Sequence, residues 1–275
     1  MLLVATFALR VFSNAVQLIR VRSWAVSSLF VILVSLCGYI HRWQPELMGV
    51  LCVYLIYNIA LLSSYQLRYP QLCVLISSVA LAVLTMYMPV LFLMATVLLL
   101  STMTTLRVFS LKTLLAVVFG FLLPYEALLC WHVYCGTVSS AWLEFIGAFD
   151  VFCLPWGPGS IFVVVEGEGW LPSGRTLCFL LLLVYGVIGV FHFLSTSYND
   201  KIRTRMHYIT VIMHWLLTVL LLLFTRGHAA ALLMMLMLDT SVILAHYFVF
   251  SKGWMANLLF WLFIALCLYL TLQNF

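Results

Sequence analysis

Charge is what this chain most lacks. Lysine and arginine number 13 and aspartate and glutamate 8 in 275 residues, so 8% of the chain is charged while 66% is hydrophobic. A soluble domain carries about 25% charged residues, so water cannot face most of this surface. Also missing is the apolar/polar alternation of porin strands, which excludes an outer-membrane barrel. No HExxH, Walker or CxxC motif occurs, nor the Cys/His spacing of a thiolate zinc site. Those absences exclude the metalloprotease ligand pair and leave ATP-driven work to a partner. No metal, no cofactor and no nucleic acid is expected. "GPGS" lies in an aromatic loop, not on a helix like the serine motif of a rhomboid-type protease. The loop "HRWQPE" offers Glu46 alone as the acid that polyprenyl-linked glycosyltransferases keep there. An inverted repeat, the usual mark of a secondary transporter, is not found.

What is present is a series of apolar runs of about 17 to 22 residues, long enough to cross roughly 30 Å of hydrocarbon as helix. Nine spans are expected, near 23–40, 46–65, 71–88, 90–106, 113–133, 176–195, 206–225, 229–250 and 254–273. The third and fourth are short and meet at Pro89, where a helix should break, giving either a tight hairpin or two re-entrant halves. In residues 1–22, Thr6, Arg10, Ser13, Asn14, Gln17 and Arg20 share one helical face. Val4, Ala8, Val11, Phe12, Ala15, Leu18 and Ile19 share the other. This pattern reads as an interfacial amphipathic helix, with a truncated first span as the alternative. A signal peptide is not expected, because the charged n-region is missing and Arg10 interrupts the apolar run. The fold class is therefore all-α: a polytopic transmembrane helical bundle of about nine spans plus an N-terminal interfacial helix, read as one membrane domain over 1–275.

The basic residues orient this bundle. Nine spans place Arg10, Arg20, Arg22, Arg68, Arg107, Lys112, Lys201, Arg203, Arg205 and Lys252 on one side, and Arg42, Arg175 and Arg226 on the other. By the positive-inside rule the N-terminus is cytoplasmic and the C-terminus extracytoplasmic. The longest connection, 134–175, then lies outside as an acidic and aromatic cap ("FDVFCLPWGPGSIF"), carrying Glu144, Asp150, Glu166 and Glu168. It is read either as a lid or partner surface or as a structured cap packed on the bundle. Cys135 and Cys153 both fall in it, so a disulfide is open in an oxidising compartment.

Three consecutive spans carry polar stripes through apolar sequence. The sixth has Tyr185, Gly189, His192 and Thr196; the seventh has His207, Thr210, His214, Thr218 and Thr225; the eighth, "LLMMLMLDTSVILAH", has Asp239 and His246 two turns apart on one face. Counting residues from the cytoplasmic ends at about 1.5 Å each, His192, His207 and His246 form a layer near the interface. Tyr185, His214, Thr218 and Asp239 form a second layer nearer the midplane. A carboxylate at the centre of a membrane helix costs on the order of 2.5–3.5 kcal/mol on insertion scales, so Asp239 should face inward, paired first with His214 and next with Tyr185. Such groups mark proton relays, ion sites and substrate paths. They also serve as plain interhelical ties, each worth about 0.6 kcal/mol in membranes. Glu126, after Pro124 in "GFLLPYEALLC", either pairs with His132 or faces a cavity. Asn58 joins Tyr54, Tyr57 and Tyr65 on one face of the second span, read as helix packing.

"SLKTLLAVVFGFLLPYEALLCW" (110–131) and "SYNDKIRTRMHY" (197–208) resemble a family of polytopic inner-membrane proteins of Bacteroides-like bacteria, through Leu-Pro-Tyr at a kinked span and Asp-Lys-Ile-Arg before the next helix. The family has no assigned activity, so the resemblance implies a location in the bacterial inner (plasma) membrane and no mechanism. From the residues themselves, "NDKIRTR" is a basic loop suited to anionic headgroups, with Asp200 capping the next helix. The expected function is non-catalytic: handling a small solute or lipid, or assisting an envelope complex, with the stripes as a proton or solute path. The rivals are a membrane-embedded transferase acting on a lipid-linked substrate, with Glu144, Asp150, Glu166 or Glu168 working from the outer cap and the catalytic residue itself unknown, and a structural scaffold. Expected partners are the lipid bilayer and other membrane proteins.

Overall fold

The structure, a computed structural model, describes residues 2–15, 24–36, 53, 56, 70–87, 90–106, 109–147, 174–224 and 229–273. Every regular element among the described residues is helical: α1 (Leu2–Ala15), α2 (Ala25–Leu36), α3 (Pro70–Tyr87), α4 (Val90–Thr105), α5 (Leu111–Cys135), α6 (Val138–Gly147), α7 (Gly174–Thr196), a 3-10 turn (Ser197–Asn199), α8 (Ile202–Phe224), α9 (Ala229–Phe250) and α10 (Trp254–Gln273). Among the described residues, five helical segments are long and apolar enough to cross a membrane: Leu111–Cys135, Gly174–Asn199, Ile202–Phe224, Ala229–Phe250 and Trp254–Leu272. They coincide with the fifth to ninth expected spans. The first, third and fourth correspond to shorter apolar helices, and of the second only Val53 and Ile56 are described, both buried.

The chain forms two compact units, Met1–Val50 with Cys153–Phe275, and Leu51–Phe152. One boundary, between Phe152 and Cys153, falls just before the Gly/Pro-rich stretch "LPWGPGS". In the first unit α9 is the hub, packed against α2, α7 and α8, while α10 lies on α2 and α7. Every residue of α9 from Ala231 to His246 is buried. A helix that is apolar on all sides must be surrounded on all sides, and α9 is. Gly186 and Gly189 let its neighbours in: a Cβ on Gly186 would strike the Trp215 ring, and one on Gly189 would sit 2.5 Å from Ile243 Cγ2. Small residues at such crossings permit the close packing on which membrane helices rely.

α1 packs on α2: Leu9 and Ser13 are buried, Arg10 lies over the Trp24 ring at 3.1 Å from its centroid, and Phe7 and Val11 are exposed.

In the second unit α3 packs on α4 and α5. The third and fourth expected spans therefore pack on each other; Pro89 at their junction lies outside the described residues. At the α3–α5 crossing Gly120 sits against Ser78, where a Cβ would come within 2.5 Å of the Ser78 Cβ. Tyr125 donates to Thr85 Oγ1 at 3.1 Å, and Phe92, Phe121, Tyr125 and Phe145 make edge-to-face contacts across α4, α5 and α6. A capping box of Ser110 and Thr113 starts α5, and Gly136, at φ 68°, stops it in the left-handed conformation that suits glycine. Pro124 is accommodated inside α5 without ending it.

Candidate functional site

The polar stripes of α7, α8 and α9 all lie in the first unit, and most of their members are buried. His207, Thr210, His214 and Thr218 on α8 are buried, as are Asp239, Thr240, Ser241 and His246 on α9. Asp239, at the middle of α9, and His214, at the middle of α8, are both 0% exposed. A carboxylate so placed has exchanged lipid for protein on every side, as the insertion cost demands.

The near-interface layer is the better-defined half. His246 Nε2 lies 3.3 Å from Asp200 Oδ2, with both side chains buried to 2% and 8% exposure. The His192 ring stands edge-on to His246 at 5.5 Å between centroids. Phe193, Tyr208 and Phe250 complete a cage about the His246 imidazole at 5.5, 5.0 and 4.8 Å. Each wall comes from a different element. His192 and Phe193 end α7, Asp200 follows the 3-10 turn, Tyr208 opens α8, and α9 supplies His246 and Phe250. The remaining ring nitrogens, His192 Nδ1 and His246 Nδ1, are buried without a hydrogen-bond partner among the described residues. The cluster thus holds a carboxylate, an imidazole bonded to it, and a second imidazole in ring contact. His207, expected in this layer, is buried on α8 beside Tyr208.

Deeper in the bundle, hydroxyls act as ties. Trp215 Nε1 donates to Thr240 Oγ1 at 3.1 Å and the Tyr208 hydroxyl to the Val242 carbonyl at 3.3 Å, both joining α8 to α9. Thr210 and Thr218 bond back to Met206 and His214 carbonyls of their own helix. Tyr185 turns to α10, donating to the Leu259 carbonyl at 3.0 Å with its ring against Phe263. Thr196 likewise bonds back, to His192.

Other candidates are scattered. Glu126 lies exposed on α5, and His132, one of its two expected settings, has Nδ1 2.9 Å from Thr137 Oγ1. Glu144 is in α6, whereas Asp150, Glu166 and Glu168 lie outside the described residues, as does Asn58. Cys135 is an exposed free thiol, and Cys153 lies outside the described residues. No group of three or more His, Cys, Asp or Glu among the described residues could hold a metal ion.

Sequence reasoning put Asp200 at the start of a helix and did not connect it to His246. A usable signal existed: Asp200 is the acid of the loop joining spans six and seven, at the end of the bundle to which His192, His207 and His246 had been assigned. Depth had been counted only for residues inside spans. Comparison with protein-family models, with curated proteins and with solved structures gave no match.

Proposed function

We propose that this chain is a multi-pass component of the bacterial inner membrane that moves protons, or a small solute coupled to them, along the α7–α9 face. The carrying observation is the buried His246–Asp200 pair with His192 beside it, at one end of a bundle whose hub helix holds Asp239 fully buried. An imidazole is the side chain best suited to take and release protons near neutral pH. Ionisable groups inside a membrane bundle by default line such paths. The nine-span topology, with the N-terminus cytoplasmic and the C-terminus extracytoplasmic, belongs to this reading and is supported by the distribution of ten basic residues against three. So does the likeness of 110–131 and 197–208 to inner-membrane proteins of Bacteroides-like bacteria. On this topology Asp200 and His246 form the cytoplasmic mouth and Asp239 the midplane station.

The test uses purified full-length protein in vesicles loaded with a pH-sensitive dye and driven by a potassium diffusion potential. Wild type should collapse the imposed gradient faster than protein-free vesicles. Asp239→Asn and His246→Gln should each slow it by on the order of 10²-fold, the scale of losing one proton-transfer group. Flux equal to that of empty vesicles, or equal in wild type and both variants, overturns the reading. The second reading, a scaffold subunit, then takes its place, favoured by the Trp215–Thr240 and Tyr208–Val242 ties, which need no transport to explain them.

A further inference from the structure

Leucines recur every seventh residue along α5, at Leu115, Leu122 and Leu129, and Phe119, Glu126 and Val133 each follow one of them by four. Written as a heptad, the leucines take position d and the other three position a. All six are exposed. The buried residues of α5, Thr113, Ala116 and Gly120, lie on another side of the helix, where Gly120 meets Ser78 of α3. Pro124 falls at f, on the side of α5 away from the a/d line.

Glu126 is out of place on such a line. It stands less than one turn past Leu123, the middle residue of the 25 in α5. Among the described residues of the five membrane-length segments, it is the only acidic or basic side chain exposed more than about one turn from a helix end. The insertion cost that turns Asp239 inward applies equally here. Yet Glu126 has no ion-pair or hydrogen-bond partner among the described residues.

We propose that α5 is a self-association helix: two copies of this chain pair in parallel along the a/d line, each Glu126 carboxyl bonded to its counterpart. The occupant follows from Glu126. A carboxyl that must leave lipid needs a partner at its own depth. A second copy, related by a two-fold axis along the membrane normal, places one there automatically, because each residue of the seam then faces itself. With a proton bound, a carboxyl both donates and accepts, so two of them complete each other and no third group is required. A foreign helix would need a base set at the same depth, whereas the second copy needs only what this chain already carries. Leucine at d, with a β-branched residue such as Val133 at a, favours two parallel strands, and a single polar residue at an a position fixes their register. A left-handed crossing of about 20° is also the common geometry between membrane helices. Lipid alone would satisfy the leucines but not the carboxyl. The seam uses no residue of the His246 cluster, so it stands whether or not protons move there.

The experiment is disulfide crosslinking of the full chain in phosphatidylcholine vesicles with copper–phenanthroline, read as dimer on non-reducing gels with the linked peptides mapped. The parent has Cys130 and Cys135, the exposed thiols of α5, replaced by alanine. Leu122→Cys and Leu129→Cys, both at d, should give dimer well above the parent. Leu128→Cys, exposed on α5 but at c, should not. Added to Leu129→Cys, Glu126→Leu should raise the protein density in lipid at which half the chains are dimeric by roughly tenfold, the effect of losing two interhelical hydrogen bonds. Glu126→Gln keeps a donor and an acceptor and should leave that density near its starting value. Glu126 is exposed, so neither change disturbs the packing of α5 on α3. Equal linking at Leu128→Cys, no dimer at either d position, linkage to another segment of the same chain, or a half-dimer density indifferent to Glu126→Leu would each overturn the proposal.

Discussion

Gly189 offers the sharpest test of how the bundle is assembled. A Cβ there would stand 2.5 Å from Ile243 Cγ2 and 3.3 Å from the Ile243 carbonyl oxygen. Carbon atoms rest at about 3.5–4.0 Å, so even one methyl forces α7 and α9 apart by an ångström or more, or drives Ile243 off its rotamer. Gly189→Val adds three carbons, and the cost should reach the upper part of the ~1–3 kcal/mol range for overpacked cores. Ile243→Ala removes three carbons from the facing wall and should cost about 2–5 kcal/mol through the cavity it leaves. Together the two changes conserve volume, and such swaps usually cost less than about 1.5 kcal/mol. The double variant should therefore be more stable than the sum of the singles by at least ~2 kcal/mol, within the range for residues in direct contact. The assay is unfolding in mixed micelles of rising SDS content, followed by tryptophan fluorescence. His192 lies one turn beyond Gly189 on the same face, so proton flux should fall in Gly189→Val and recover in the double variant. Additive stabilities would refute the α7–α9 contact itself, and recovered stability without recovered flux would refute the link from that crossing to the His192–His246 contact.

Two further outcomes follow from individual contacts. Trp215→Phe deletes the 3.1 Å bond to Thr240 and should lower stability in the same assay by about 0.6 and no more than ~1.7 kcal/mol. Trp215→Phe with Thr240→Ala should then be no worse than the poorer single, and a larger additive loss would show that the bond is not what either residue contributes. Peptide-mapped maleimide labelling in vesicles should modify Cys135, which is exposed, from one face of the membrane only, and leave Cys178 and Cys267, which are buried, unreacted until SDS is added. Native reaction at Cys178 or Cys267 would contradict the packing of α7 or α10.

Helix class and the inward turn of the stripes were legible because both follow from counting. Unbroken apolar runs can only be helices in lipid, and period 3.6 puts Asp239 and His246, or His207, His214 and Thr218, on one face regardless of tertiary detail. Partner choice was not legible. Tyr185 stands second to His214 as the expected partner of Asp239, and its hydroxyl goes to Leu259 on α10, a helix without a polar stripe whose backbone carbonyl no side-chain pattern advertises. For Glu126 the sequence leaves His132 and a cavity both open; Glu126 is exposed, and His132 lies at the end of α5, where the turn at Gly136 brings Thr137 back onto it. The two-unit division was not read from the sequence, although one boundary falls just before the Gly/Pro-rich "LPWGPGS".

The buried polar side chains of the first unit divide by chemistry in a way that bears on what the bundle does. Hydroxyl and indole donors are spent on backbone or on each other: Thr210, Thr218 and Ser241 on carbonyls of their own helices, Tyr208 and Trp215 on α9, Tyr185 on α10. The last three tie α8 to α9 and α7 to α10 without any ionisable group. Deleting a carboxylate and an imidazole from a membrane core and filling the space with carbon would usually stabilise it, because buried charge partners seldom recover their desolvation cost. A bundle selected for cohesion alone has no need of Asp239 at the centre of its hub helix, or of Asp200 reaching in from a turn to His246. On the proposed function these titratable groups exchange protons at two depths of one helix face, a contribution the ties do not make. That distinction is measurable apart from flux. Asp239→Leu and the pair Asp200→Asn with His246→Phe should leave stability unchanged or raise it by roughly 1–4 kcal/mol. A loss of several kcal/mol in both would return these residues to the class of ties.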